Sequence, residues 1–184
     1  MRKNYGVQPY LFPQPVLILA TYDQDGNPNA MNAAWGGQAD YDKILIDLSH
    51  HKTTDNMVER GAFTVGIGDA KEVVACDYVG MVSGNKAPDK LAKAGWTTTK
   101  SEFVDAPIIN ELPICLECKL LKVLPDGMHL GQVVNVSCDE RYLGEDGMPD
   151  LSKCSPIVFD PFHHTYLALG EVVGKAFADG KRLK

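Results

Sequence analysis

Regular alternation of side chains is the feature of this sequence that most restricts its fold. In 114–120 the even positions are apolar or cysteine while Glu117 and Lys119 lie between them, and 130–138 continues in a similar way. A period of two residues indicates strands with one buried face and one wetter face, and we expect Glu117 and Lys119 on the wetter one. Two such stretches in succession predict neighbouring strands of an antiparallel sheet.

The rest of the chain adds short strands and short helices without a regular strand–helix–strand order. Further strands are predicted at 15–22, 43–49 and 62–67, and a small-residue arm at 29–37 returns from a hairpin turn at 23–28. Helices are predicted at 53–60, 70–78 and 88–94, the second opening on a capping box of Asp69 and Glu72. This pattern favours a mainly β fold, an antiparallel barrel with short peripheral helices.

Length and charge limit the class of protein further. The 184 residues favour a single domain over 1–184 and are enough to build an ordinary core. The chain has 18 Lys+Arg against 24 Asp+Glu, and a net charge of −6 argues against nucleic acid or an anionic membrane as the partner. Prolines interrupt the apolar stretch near the N-terminus, so we expect no signal peptide, no spanning helix and a cytoplasmic protein.

Candidate metal and catalytic motifs are weak. Five cysteines in a chain without an export signal are expected to stay reduced. Cys115 and Cys118 have the spacing of half a zinc ribbon, but no second pair follows, and residues three apart on a strand face opposite sides. We therefore expect Cys118 in the core and only Cys115 to be reachable. His163 and His164 lack an accompanying carboxylate cluster, and 66–71 lacks the third glycine of a dinucleotide fingerprint. We predict no catalytic side chain and no metal ligand.

The stretch 49–56 is the most informative for function, because it lies between a predicted strand and a predicted helix. Its hydroxyl groups, Lys52 and the free amides of a helix N-terminus form a combination that binds phosphate. Capping of the helix by Thr53 is the alternative explanation of the same residues. The small side chains of 29–37 favour phosphate, since a flat ring system can lie against that backbone while 49–56 holds the phosphate.

Six segments in a fixed order carry a family resemblance. They are Asp-Gly-Asn-Pro with Asn-Ala-Met-Asn-Ala-Ala-Trp-Gly-Gly at 25–37, Lys-Thr-Thr-Asp-Asn at 52–56, Gly-Ala-Phe-Thr-Val at 61–65, Ser-Gly at 83–84 with Asp-Lys at 89–90, Asp-Ala-Pro at 105–107 and Leu-Glu-Cys-Lys at 116–119. Over 13–181 the chain resembles the flavin reductase-like FMN-binding split-barrel family. The resemblance implies a six-stranded antiparallel split β-barrel of Greek-key type. It also implies a homodimer with one non-covalent FMN per subunit near the dimer interface.

The same resemblance implies roles for ten residues. Five are expected along the isoalloxazine ring and its polar edge: Met31, Asn32, Ala33, Ala34 and Trp35. Four are expected to contact the ribityl phosphate: Ser49, Lys52, Thr54 and Asn56. Lys90 is expected to help neutralise that phosphate.

The resemblance leads to one functional prediction and two alternatives. We expect an FMN-dependent oxidoreductase that passes electrons from NAD(P)H to a flavin, a ferric complex or a protein acceptor. In such a protein the fold holds N5 of the ring where a hydride can arrive, so no side-chain acid or base is required. The first alternative is an FMN-binding electron carrier without NAD(P)H turnover of its own. The second is a split-barrel protein that has lost its flavin and serves as a binding module.

Overall fold

The computed structural model describes residues 1–183 and has a mainly β architecture with short helices at its periphery, as predicted. The described strands are β1 Gln14–Pro15, β2 Leu17–Tyr22, β3 Pro28–Ala33, β4 Gly36–Asp40, β5 Lys43–Asp47, β6 Ala62–Ile67, β7 Thr98–Lys100, β8 Pro107–Ile109, β9 Ile114–Val123, β10 Met128–Cys138, β11 Ile157–Asp160 and β12 Thr165–Ala168. The described helices are α1 Lys52–Arg60, α2 Val73–Met81 and α3 Lys90–Lys93, with 3₁₀ turns at Ala70–Glu72, Glu140–Tyr142 and Asp179–Leu183. No helix within residues 1–183 has the length and apolar character needed to cross a membrane.

A seven-stranded antiparallel sheet forms the body of the fold. Its strand order is β3-β2-β6-β9-β10-β5-β4, so β3 and β4 are its two edges. Only Ala34 and Trp35 separate these edge strands along the chain, a link that spans about 11 Å at most. The sheet must therefore curl until its edges meet, although the described β3 and β4 share no ladder of hydrogen bonds. We call this unpaired meeting line, at Ala34 and Trp35, the seam.

The observed strands differ from the predicted ones in number. The main sheet has seven strands rather than six, and two smaller sheets, β1-β11-β12 and β7-β8, accompany it. The predicted arm 29–37 supplies the additional strand, because the chain breaks at Ala34 and Trp35 and its two halves occupy opposite edges. The predicted strand 15–22 is divided at Val16, since β1 pairs with β11 in another sheet.

Two apolar clusters cover the two faces of β2. Leu17 and Leu19 pack inside the half-barrel, together with Phe63. Ile18 and Ala20 belong to the cluster on the other face, which α2 and α3 cover. Because both faces are buried, this part of β2 is apolar at every position instead of alternating.

Helix α1 begins one residue before the predicted start and ends where predicted. Its N-cap is His51, whose backbone N donates to the Thr54 hydroxyl over 2.9 Å, while that hydroxyl donates to the His51 carbonyl over 2.7 Å. Thr53 does not cap the helix, because its hydroxyl accepts a hydrogen bond from Asn29 Nδ2 over 2.7 Å. Gly61 ends the helix in the left-handed conformation, at φ 64°.

The other two helices differ more from their predicted limits. Asp69 caps a 3₁₀ turn, and α2 starts only at Val73 and runs past the predicted end to Met81. The predicted capping box is wrong, because the Glu72 carboxylate instead accepts a hydrogen bond from Trp96 Nε1 over 2.8 Å. Helix α3 is a single turn and is shorter than the predicted segment.

The predicted wetter face of β9 is wrong at Glu117. This residue is 2% exposed, because the loop between β7 and β8 folds over it. Its carboxylate accepts hydrogen bonds from the Ser101 hydroxyl and from Asn135 Nδ2, the latter over 2.6 Å. Cys115 is buried as well, contrary to the prediction that it is reachable, whereas Cys118 lies in the core as predicted.

Candidate functional site

The predicted ring-binding residues lie where β3 runs into the two-residue link. Helix α2 fixes Asn32 there, because Asn32 Nδ2 donates a hydrogen bond to the carbonyl of Cys76 over 3.1 Å. The Trp35 carbonyl accepts a hydrogen bond from the backbone N of Asp47 over 2.8 Å, which ties the link to β5. The Trp35 residue itself remains 54% exposed. The link thus combines an anchored backbone with a large aromatic side chain at the surface.

A concave site of about 240 Å³ opens beside the link, and we call it the seam cavity. Residues from β3, the link, β5 and the start of α1 line it: Met31, Asn32, Ala33, Ala34, Trp35, Asp47, Leu48, Ser49 and His51. Six of the ten predicted site residues are therefore brought together here. Ser49 Oγ and His51 Nε2 are 3.0 Å apart, so the polar groups of this cavity lie together beside the N-terminus of α1.

Lys52 lines a second concave site, of about 410 Å³, at the beginning of β3. We call it the lysine cavity, and its lining is Asp23, Asn27, Pro28, Asn29, Lys52, Gly84, Pro88, Asp89, Leu91, Ala92, Trp96 and Thr98. Lys52 Nζ forms an ion pair with Asp23 Oδ2 at 3.1 Å. A Cβ at Gly84 would overlap Oδ1 of Asn29, so any larger residue there must displace the Asn29 side chain.

Lys90, on α3, carries a buried ammonium group; its neighbours Asp89 and Leu91 line this cavity, whereas Lys90 itself does not. The residue is 3% exposed, and its Nζ donates to the carbonyls of Val82 over 3.0 Å and Val79 over 3.3 Å. It forms no ion pair with a carboxylate of the described chain. Burial, and secondly the charge of Lys52, lower the pKa of Lys90 to about 8. A buried cation without a counter-ion favours the approach of an anion.

The remaining predicted phosphate contacts, Thr54 and Asn56, line neither the seam cavity nor the lysine cavity. The Thr54 hydroxyl is engaged with the backbone of His51. Asn56 donates from Nδ2 to the Thr21 hydroxyl over 3.1 Å and is 5% exposed. In this structure the two residues cap α1 and attach it to β2, and a phosphate contact stays a prediction for both.

Three residues contribute to the site without having been singled out in the sequence. Asn29 lines the lysine cavity and His51 lines the seam cavity, and their position next to the quoted motifs is the signal that points to them. Tyr166 lines a further concavity of about 260 Å³ on the α2 side of β3. Its hydroxyl donates to Asp77 over 2.8 Å. No local pattern links residue 166 to β3, because their proximity arises only from the fold.

Cys115 and Cys118, on β9, line none of these cavities and are unsuited to thiolate chemistry. Burial raises the pKa of Cys115 and of Cys118 to about 12, so both are protonated at neutral pH. Within residues 1–183, no group of three or more His, Cys, Asp or Glu side chains is arranged to hold a metal ion.

A curled antiparallel sheet with a concave site along its seam is the architecture of split-barrel flavoproteins. The family described as flavin reductase like domain matches residues 10–159, and the chain belongs to this family. The fold and the match support a flavin-related oxidoreductase or electron carrier and confirm the predicted family.

Solved structures show the same relationship. Flavoredoxin of Desulfovibrio vulgaris (Miyazaki F) is similar with a TM-score of 0.93 and 37% identity, over 98% of this chain and 100% of that chain. Flavoredoxin from Methanosarcina acetivorans has a TM-score of 0.87 and 24% identity, over 100% of both chains. An FMN-binding domain of a flavin reductase-like enzyme from Shewanella baltica has a TM-score of 0.78 and 20% identity, over 88% of this chain and 89% of that one. These similarities confirm the predicted split-barrel fold.

Proposed function

We propose that the protein binds FMN non-covalently along β3, with the ring at the seam cavity and the phosphate near the two lysines. The buried ammonium of Lys90 is the observation that carries this proposal. It has no carboxylate partner in the described chain, and although two carbonyls at the end of α2 accept its hydrogen bonds, its positive charge remains available to attract an anion. Lys52 adds a second positive charge, of which Asp23 neutralises a part.

The geometry of β3 suits a cofactor with one flat end and one anionic end. Strand residues advance about 3.3 Å each, so Asn29 in the lysine cavity and Ala33 in the seam cavity are about 13 Å apart along β3. FMN is extended in this way, with a three-ring system at one end and a phosphate at the other. The N-terminal amides of α1, from Lys52 onward, follow Ser49 and His51 of the seam cavity and add a preference for negative charge.

Bound FMN would supply the hydride and electron transfer chemistry of the proposed reaction. The role of the protein would be to hold the flavin ring against the backbone of residues 31–35. The Trp35 side chain, at the rim of the cavity, would shield the ring from solvent. We propose NAD(P)H as the electron donor and a flavin, a ferric complex or a protein as the acceptor. The free thiols fit a reducing compartment, and we propose the cytoplasm.

We further propose that two chains form a homodimer. Exposed apolar side chains lie on strands β9 and β10 and at the seam, among them Leu121, Val123, Val136 and Trp35. Burying these side chains between two copies would remove apolar area from water. Light scattering of the purified protein tests this, with a mass of twice the 20.1 kDa chain as the expected result. A monomer at micromolar concentration would contradict it.

Absorption spectroscopy tests the function itself. Protein incubated with FMN and passed through gel filtration should retain one flavin per chain, and anaerobic NADH or NADPH should bleach the flavin band. Retained flavin that neither nucleotide bleaches would instead support an FMN-binding electron carrier, the candidate favoured by the 37% identity to a flavoredoxin. A protein that takes up no FMN would contradict the proposal and indicate a binding module without flavin.

A further inference from the structure

Asp23, at the start of the turn between β2 and β3, places a carboxylate in the lysine cavity. It lines this cavity together with Lys52, and its Oδ2 is 3.1 Å from Lys52 Nζ. The Asp23 side chain is 13% exposed and that of Lys52 is 23% exposed, so water screens this ion pair only in part. The cation on which we place the phosphate therefore already has an anionic partner in its own chain.

The Asp23 carboxylate is fixed by its own turn. Its Oδ1 accepts hydrogen bonds from the backbone N of Asp25 over 3.1 Å and from the backbone N of Asn27 over 2.9 Å. The Asp23 carbonyl accepts a further hydrogen bond from the guanidinium group of Arg60. Because these bonds hold both the backbone and Oδ1, the carboxylate stays beside Lys52 when another anion approaches.

The second carboxylate that lines the lysine cavity is different. Asp89 is 58% exposed and pairs with Lys93 Nζ at 3.2 Å, so solvent and this lysine both screen its charge. Asp89 forms no ion pair with Lys52 in the described chain. The charge that limits the availability of Lys52 is therefore that of Asp23.

A fixed carboxylate beside Lys52 opposes the binding of any anion in this cavity. A phosphate that contacts Lys52 Nζ shares this cation with Asp23, and the two negative charges repel each other at that separation. Free inorganic phosphate has only its charge with which to overcome the repulsion. FMN also has a flat ring, which would bury apolar surface at the seam cavity, so FMN can bind where the free anion cannot.

We propose that Asp23 is a specificity-determining residue of the proposed flavin site, which engages Lys52 and so excludes free phosphate while FMN still binds. This inference rests on the proposed function, because it takes the phosphate of FMN to lie at Lys52. The exclusion of the free anion does not itself require flavin. Removing the charge of Asp23 should therefore open the lysine cavity to inorganic phosphate.

Asp23→Asn tests this role, because the Oδ1 of an asparagine can still accept both backbone hydrogen bonds while the charge is lost. The full-length chain without FMN is titrated calorimetrically with inorganic phosphate at low ionic strength. The variant should bind phosphate about tenfold more tightly than the wild type. Asp25→Asn is the matched control, since Asp25 is an exposed acid of the same turn and does not line the cavity. No gain in Asp23→Asn, or the same gain in Asp25→Asn, would overturn the proposal.

FMN and riboflavin separate this inference from the proposed function. Asp23→Asn should raise the affinity for FMN about tenfold and leave the affinity for riboflavin, which has no phosphate, unchanged. An equal gain for both flavins would overturn the role given to the charge. If the wild type binds neither flavin, the proposed function fails, and the phosphate titration still decides whether Asp23 keeps phosphate from Lys52. If Asp23→Asn does not fold by circular dichroism, Asp23→Ser takes its place, since serine is also favoured at the start of a turn.

Discussion

Gly80 of α2 lies so close to Asn32 of β3 that a Cβ added at Gly80 would be 2.9 Å from the Cβ of Asn32. Any larger residue at this position must displace either the helix or the strand. Since α2 also accepts the hydrogen bond from Asn32 through Cys76, the helix sets the position of the strand on which we place the flavin. The small residue at this contact is the glycine of α2, which lets the helix pack closely against β3.

Replacing Gly80 by alanine should destabilise the protein, although alanine inside a helix is normally favoured over glycine by about 1 kcal/mol. We expect a loss of about 1–3 kcal/mol in the free energy of unfolding, because Asn32 must move, and a weaker affinity for FMN. Denaturant titration and calorimetry measure the two effects. Gly170→Ala is the control, since its Cβ would meet nothing within 4 Å. A Gly80→Ala protein as stable as the wild type would contradict the role given to this contact.

Lys52→Met should weaken FMN binding at least tenfold, because a charge-assisted hydrogen bond to phosphate contributes about 1.5–3 kcal/mol. Riboflavin, which has no phosphate, should bind this variant and the wild type equally. Lys93→Met is the matched control, since Lys93 is exposed and paired with Asp89 at 3.2 Å. Equal losses for FMN and riboflavin in Lys52→Met would place the phosphate elsewhere.

The affinity for FMN should decrease as the pH rises above about 8. Burial lowers the pKa of Lys90 to about 8 in the folded chain, so the ammonium that attracts phosphate loses its proton above that pH. We expect the affinity to fall by up to tenfold per pH unit, measured by fluorescence titration. In Lys90→Met the affinity should be lower near neutral pH and should no longer depend on pH in this range. A dependence that persists in the variant would assign it to another group.

The stability of the protein without FMN should change with pH in the opposite direction. The folded pKa of Lys90 is lowered from 10.5 to about 8, so between these values the unfolded chain binds more protons than the folded chain. The contribution of Lys90 to the free energy of unfolding therefore increases with pH across this window. Denaturant titrations of the wild type and of Lys90→Met, compared at several pH values, isolate this contribution. A difference between the two proteins that is constant with pH would exclude it.

The cysteines should be dispensable for electron transfer. Cys118→Ala removes a core thiol and should cost about 1–2 kcal/mol of stability, while reduction of bound flavin remains near the wild-type rate. In the native wild type, a thiol reagent should label Cys138 first, because Cys115 and Cys118 are buried and protonated. A more than tenfold loss of the reduction rate in a variant that retains FMN would indicate that the Cys115 or Cys118 thiol takes part in electron transfer.

Local patterns in the sequence were sufficient to predict a strand and its burial where both depend on residues that are neighbours in the sequence. The predicted strand 62–67 coincides with β6, whose first five residues are all buried. The burial of Glu117 could not be predicted in this way, because it depends on Ser101 and Asn135, which lie on other segments. An isolated strand shows which of its faces is more polar, but it does not show which distant loop covers that face.

The candidate site shows the same limit. Met31 to Trp35 come together because they are consecutive, and the sequence motif is enough to group them. The environment of Lys90 is different, because its ammonium is held by two carbonyls at the end of α2. At Asn56 the motif predicts a ligand contact, whereas in the folded chain its amide donates a hydrogen bond to the Thr21 hydroxyl. The motif alone does not reveal this intramolecular partner.

The seam has a consequence for how the barrel moves. Every other neighbouring pair of strands in the main sheet is held by hydrogen bonds, so within the described chain β3 and β4 are the edges that separate at the smallest cost. If the proposed cofactor binds at Ala34 and Trp35, it would touch both edges and would take the place of the missing bonds. Amide hydrogens of β3 and β4 should then exchange with solvent more slowly when the site is filled, because the ligand would link the two strand edges and close the barrel.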